Sequence, residues 1–197
     1  MPRPSTHLKL SDIEPKDIAL LVVGRVVQHI GRFAFGLQPG VMVTIRPDPP
    51  DDAACMSTTL GMTAHDLAVY AQNGLSRQLD WEDDSCARDA VQSVCEALYS
   101  RAGEDGFGVG PLEDGWAWED TEHPVSLVLC AAWARIAIAS GEEVPPQCLG
   151  ALSGLSKRSI YDLIDRGEIE AGGDRGSTVI GAAVAKRWLE ARGVKGL

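Results

Sequence analysis

Four side chains near residue 160 have the types and spacing to do chemistry together. Lys157, Arg158, Ser159 and Tyr161 fall in the run L-S-G-L-S-K-R-S-I-Y-D-L-I-D-R-G-E-I. They offer two cations, a hydroxyl and a phenol, and every one of them can donate a hydrogen bond. On the first turn of a helix such a set can reach phosphate oxygens and base edges, because a groove-reading helix points its N-terminal end at the duplex. Other stretches offer less. His7, His29, His65 and His123 are scattered, and none adjoins a Cys or Ser in a nucleophile motif. The cysteines at 55, 86, 95, 130 and 148 are odd in number and contain no C-x-x-C pair, so they read as buried or half-buried free thiols, neither a disulfide framework nor zinc ligands. Gly106 to Gly110 departs from G-x-G-x-x-G and has no Lys partner, which argues against a phosphate cradle. Asp80, Glu82, Asp83 and Asp84 lack the signature of a calcium loop. The expectation is a protein that is no enzyme and uses no cofactor and no metal.

The elements that must hold the four side chains can be read from the flanking residues. Pro145 and Pro146 can start a short helix with Cys148, Leu149 and Leu152 on its inner face. Ser153-Gly154-Leu155 makes the turn, with Leu155 filling the angle between two helices. Ser156 suits the N-cap of the second helix, whose Ile160, Leu163 and Ile164 fall on one inward face. Gly167 ends it. Residues 168–171 and 177–180 can then pair as a hairpin, with Gly172-Gly173-Asp174-Arg175-Gly176 at the tip. Ala182 to Ala191 closes the unit on Val184, Trp188 and Leu189, where Trp188 reads as core.

This segment, followed by the wing and by A-V-A-K-R-W-L-E, resembles the excisionase and MerR-type winged helix-turn-helix family over about a quarter of the chain. The resemblance implies double-stranded DNA as partner, with Lys157, Arg158 and Tyr161 facing the duplex and Arg175 as the wing contact. The full candidate DNA-binding set is Ser156, Lys157, Arg158, Ser159, Tyr161, Arg166 and Arg175. Two departures from the pattern stand out. The wing is poor in Arg and Lys, and Asp162, Asp165, Glu168 and Glu170 lie on or near the side expected to meet DNA.

The rest of the chain supplies context. Its 197 residues are 45% hydrophobic and 23% charged, an ordinary globular composition. The longest apolar stretch, Val125 to Ile138, is interrupted by Arg135 and falls short of the roughly 20 residues of a membrane span. The N-terminal arm has no continuous apolar region of a secretory signal, so a cytoplasmic protein is expected. The net charge is −10, and its distribution is uneven. Residues 1–143 hold 10 Lys and Arg against 22 Asp and Glu, whereas residues 144–197 hold 8 against 6.

This predicts two parts: an acidic, mostly helical body over 1–143 and a winged helix-turn-helix over 144–197. The fold class is mainly α with a minor β component. In the body, a helix is expected from Asp17 with Ile18, Val22, Val26, Ile30 and Phe33 inward, although its valines leave a strand reading open; further helices are expected over Ala64–Asn73 with Thr63 as cap, after Ser85, and over Val125–Ser140 as a central buried helix. A short strand is expected over Val41–Ile45. The body resembles no family, and it carries no effector-binding or coiled-coil segment of the MerR sort.

The functional expectation is a DNA-binding regulator of transcription or recombination, on a mobile element or chromosome. It would act as a homodimer, because few phosphate contacts per copy give weak binding. The N-terminal body would serve dimerisation or a protein partner. The alternative is an acidic protein–protein adaptor or a DNA-mimic-like inhibitor, suggested by the body's charge and by the acid–tryptophan run Glu113-Asp114-Gly115-Trp116-Ala117-Trp118-Glu119-Asp120.

Overall fold

Helix-forming signals outnumber strand signals along the chain, and the computed structural model is mainly helical. It describes residues 8–37, 52–75, 84–99, 123–173 and 178–197. A 3-10 turn at Leu10–Asp12 precedes α1 (Pro15–Leu37), α2 (Asp52–Met56), α3 (Thr59–Asn73), α4 (Asp84–Tyr99), α5 (Pro124–Ala139), α6 (Pro146–Ser153), α7 (Lys157–Asp165) and α8 (Ala182–Ala191). No strand forms among the described residues. Two isolated antiparallel bridges join Val144 to Ile180 and Gly172 to Val179. The strand expected over 41–45, the glycine run at 106–110 and the acid–tryptophan run at 113–120 lie outside the described residues.

The most apolar stretch becomes the central helix, as its all-round pattern predicts. Pro124 occupies the first turn of α5, where its missing N–H costs nothing, and His123 Nδ1 accepts the Val125 N–H at 3.3 Å. Thirteen of the sixteen residues of α5 are buried, so no face of it is left for solvent. Ala131, Ala132, Ala134 and Ala137 keep its surface low and let neighbouring helices come close. Helices α1, α3, α4, α6 and α8 all pack on it. One apolar cluster runs from Leu10 through α5 to Leu189 and crosses residue 143 without a break. The segments 1–143 and 144–197 therefore share a core.

Several boundaries differ from the sequence expectation. Helix α3 is capped by Thr58, whose hydroxyl accepts the Gly61 N–H at 3.0 Å, so the helix begins a turn before Thr63. Gly61 is required in that first turn because a Cβ there would overlap the Cys55 carbonyl at the end of α2. Helix α4 begins at Asp84, which places Ser85 inside the helix and not at its cap. The Asp12 carboxylate accepts the Lys9 N–H, closing the 3-10 turn, and α1 starts at Pro15, two residues before Asp17. Of the face expected on α1, Ile18 and Val22 are buried and Val26 is half-buried. Cys55, Cys130 and Cys148 are buried and Cys95 is half-buried, whereas Cys86 is exposed.

Arg135, which reads in the sequence as an interruption of α5, ties the fold together. Its side chain is buried and donates four hydrogen bonds, all to backbone carbonyls. Nε reaches Ala71 O at 2.9 Å, and Nη2 reaches Gln72 O at 3.0 Å. Nη1 reaches Lys195 O at 2.8 Å and Gly196 O at 2.7 Å. Ala71 and Gln72 lie in the last turn of α3, where carbonyls lack intrahelical partners and carry the negative end of the helix dipole. The Gln72 side chain continues the network by donating to Leu10 O at 2.9 Å and Ile13 O at 2.7 Å. The C-terminal tail reaches this point only because two glycines meet. Gly74 (φ 76°) and Gly196 (φ 69°) touch backbone to backbone, and a Cβ on either would overlap the other segment. Burial pushes the Arg135 guanidinium down to about 10, so it is a cation at neutral pH.

Replacing Arg135 by Met is expected to cost at least about 4 kcal/mol, since a buried acceptor left unsatisfied costs about 1–3 kcal/mol and four carbonyls are orphaned. The urea midpoint measures this. Arg135→Lys restores only part of the loss, because one ammonium cannot span carbonyls on both α3 and the tail.

Candidate nucleic-acid interface

The local geometry of α6 and α7 follows from three small residues. Gly154 adopts the left-handed conformation (φ 72°) that ends α6, and the Leu155 N–H returns to Gly150 O at 3.0 Å. Gly150 sits where α6 meets the turn and α7. A Cβ there would lie 2.8 Å from Leu155 O and 3.4 Å from Ile160 Cγ1, so only glycine allows this approach. Ser156 then caps α7, its Oγ accepting the Ser159 N–H at 3.1 Å. Ile160 and Leu163 are buried against the shared core, and Ile164 is half-buried. Of the other helices, α6 makes the substantial contact with α7, which leaves the outer side of α7 open.

The candidate residues land as follows. Lys157 and Arg158 are exposed on the first turn of α7, and among the described residues no ion pair holds either. Tyr161 is half-buried one turn further on. Ser156 and Ser159 are half-buried, and their hydroxyls lie 2.8 Å apart in the cap. Ser156 therefore fixes where the helix begins, and so where the two cations stand. Arg166 is exposed at the other end of α7. Its Nε donates to Asp162 O at 3.1 Å and its Nη1 lies 3.2 Å from Glu168 Oε1. An exposed pair of this kind is worth at most about 1 kcal/mol, so Arg166 can exchange Glu168 for another anion cheaply. Asp162, Asp165, Glu168 and Glu170 are all exposed around these cations. Arg175 lies outside the described residues.

Beyond α7, the Gly172 N–H donates to Val179 O at 2.8 Å and the Val179 N–H returns to Gly172 O at 3.0 Å. Val144 and Ile180 exchange a similar pair at 2.8 and 3.0 Å, which fixes the start of α8 beside the start of α6. Helix α8 buries Ala185 and Leu189. Trp188, expected in the core, is half-buried, and the Arg192 guanidinium lies over its ring 4.2 Å from the centroid. Lys186 and Arg187 are exposed. Sequence reasoning passed over these α8 cations, although K-R at 186–187 is as compact a signal as K-R at 157–158. It also missed Gly150, for which a glycine inside a short helix was the available sign.

Other features offer little chemistry. Among the described residues no three His, Cys, Asp or Glu side chains converge as a metal site would require. A cleft of about 410 Å³ at the start of α1, lined by Leu8, Ile13, Ile18 and Leu21 with Asp12 and Asp17, gathers no histidine, cysteine or cation among the described residues. No described helix is long and apolar enough to cross a membrane. No family model, curated protein or solved structure matches the chain.

Gly150→Ala is expected to cost about 1–3 kcal/mol by forcing α6 and α7 apart. Ser156→Ala removes the cap and costs about 1 kcal/mol. Denaturant unfolding measures both, and amide exchange of Lys157 to Ile160 rises in the second variant.

Proposed function

We propose that this chain is a DNA-binding regulator whose α6–α8 segment works as a winged helix-turn-helix. Helix α7 is its recognition helix and the 172–179 connection its wing. The observation that carries the reading is the exposed tip of α7. Lys157 and Arg158 stand on its first turn beside Tyr161, fixed by the Ser156 cap and held against α6 by the Gly150 contact. Such a helix start presents donors where base edges and phosphates lie. The short α6, the glycine turn and the inward Ile160 and Leu163 agree with the same arrangement. The protein acts in the cytoplasm as a homodimer, which doubles the phosphate contacts and reads two half-sites roughly 34–36 Å apart. It controls transcription or recombination.

A second reading is favoured by one observation. Asp162, Asp165, Glu168 and Glu170 are exposed around the same tip and would repel phosphate. Under this reading the chain is an acidic adaptor or DNA-mimic-like inhibitor that binds a basic protein. Retention on heparin with elution by salt separates the two, since an adaptor of this charge passes through.

Lys157→Ala with Arg158→Ala is expected to weaken binding to duplex DNA about 10- to 100-fold, because removing a side chain that reads a base edge costs about 1–3 kcal/mol. A gel-shift titration on selected genomic fragments measures it. Equal binding by wild type and variant rules this function out.

A further inference from the structure

Charge around α7 does not by itself favour a polyanion. Between 156 and 171, Lys157, Arg158 and Arg166 are outnumbered by Asp162, Asp165, Glu168 and Glu170. The surplus of positive charge lies elsewhere. Residues 182–197 hold four Lys and Arg against one Glu, whereas 1–181 hold 14 against 27. Three of the four cations, Lys186, Arg187 and Arg192, are exposed on α8 and the residue after it, and the fourth is exposed Lys195.

This cationic segment is also held in place. At its start, Ile180 is paired with Val144. At its end, the Lys195 and Gly196 carbonyls are taken by the buried Arg135 guanidinium. Between them, Ala185 and Leu189 are packed in the core, and the Trp188 ring lies under Arg192. A cation steadied on an aromatic face loses less freedom on binding than one on a loose side chain. Anchored donors on a fixed helix suit a ligand whose charges repeat regularly.

We infer that α8 and the turn after it are the phosphate-binding element of this protein: Lys186, Arg187 and Arg192 hold the DNA backbone without regard to sequence, and the tip of α7 supplies the base contacts. The inference rests on the DNA-binding reading above. It divides the labour between two helices, with affinity from α8 and specificity from α7. It also gives a protein whose α7 tip is surrounded by carboxylates a separate source of affinity for phosphate.

The test uses the full chain and a random-sequence duplex of about 30 base pairs, with binding read by fluorescence anisotropy across about 50–200 mM KCl. The double variant Lys186→Gln with Arg187→Gln is expected to bind every duplex about 10- to 100-fold more weakly, and its plot of log affinity against log salt flattens by about 2. The sequence preference found by selection stays the same. The charge-keeping swap Lys186→Arg with Arg187→Lys restores the slope. In contrast, Lys157→Ala with Arg158→Ala changes the sequence preference. An unchanged salt slope in a Gln variant that melts at the wild-type temperature overturns the inference and leaves the DNA-binding reading standing. Failure of the wild type to bind any duplex overturns both.

Discussion

A single buried cation holds the end of α3 and the C-terminal tail to the central helix. Desolvating a guanidinium costs several kcal/mol, and no carboxylate is among its hydrogen-bond partners. Four carbonyls compensate instead, two of them at the negative end of α3. Apolar packing around α5 could tolerate small shifts of neighbouring helices, but a planar fork with four partners cannot. Arg135 thus fixes the register of α3, α5 and the C-terminal tail. Through Gln72 it also fixes the turn that launches α1.

The same constraint shapes the candidate interface. Helix α8 is secured at its start by the Val144–Ile180 pair and after its end by the Arg135 contacts. Helix α7 has a different support. It leans on α6, at a point where Gly150 permits an unusually close approach, and its outer side has no cover from other described helices. The outcome is a shared core with one helix presented at its edge. The net acidic charge of residues 1–143 disfavours anions there, so the cations of α8 stand out against a repelling background.

Much of the C-terminal architecture was legible in the sequence because its punctuation is local. Pro145-Pro146, Gly154, Ser156 and Gly167 each act through the backbone of their own turn, and α6 and α7 begin and end where those residues predict. The body was harder to read for an equally physical reason. In T-T-L-G-M-T the cap could be any of three threonines, and Gly61 looked like a break. Its true role, clearing the Cys55 carbonyl, depends on how α2 packs. Arg135 was passed over because its partners are backbone carbonyls roughly 60 residues away in both directions, and a carbonyl has no residue type to recognise. The charge on α8 is plain in the sequence, but it is diluted when the C-terminal segment is summed as a whole.

The central claim is that the exposed tip of α7 meets duplex DNA, and amide chemical-shift mapping of the labelled full chain during titration with duplex tests it most directly. The account predicts that Ser156 to Asp162 shift or broaden first, together with Lys186 and Arg187, while the amides of α1 and α3 stay in place. Perturbation centred on the acidic helices, or none anywhere at saturating duplex, would contradict it.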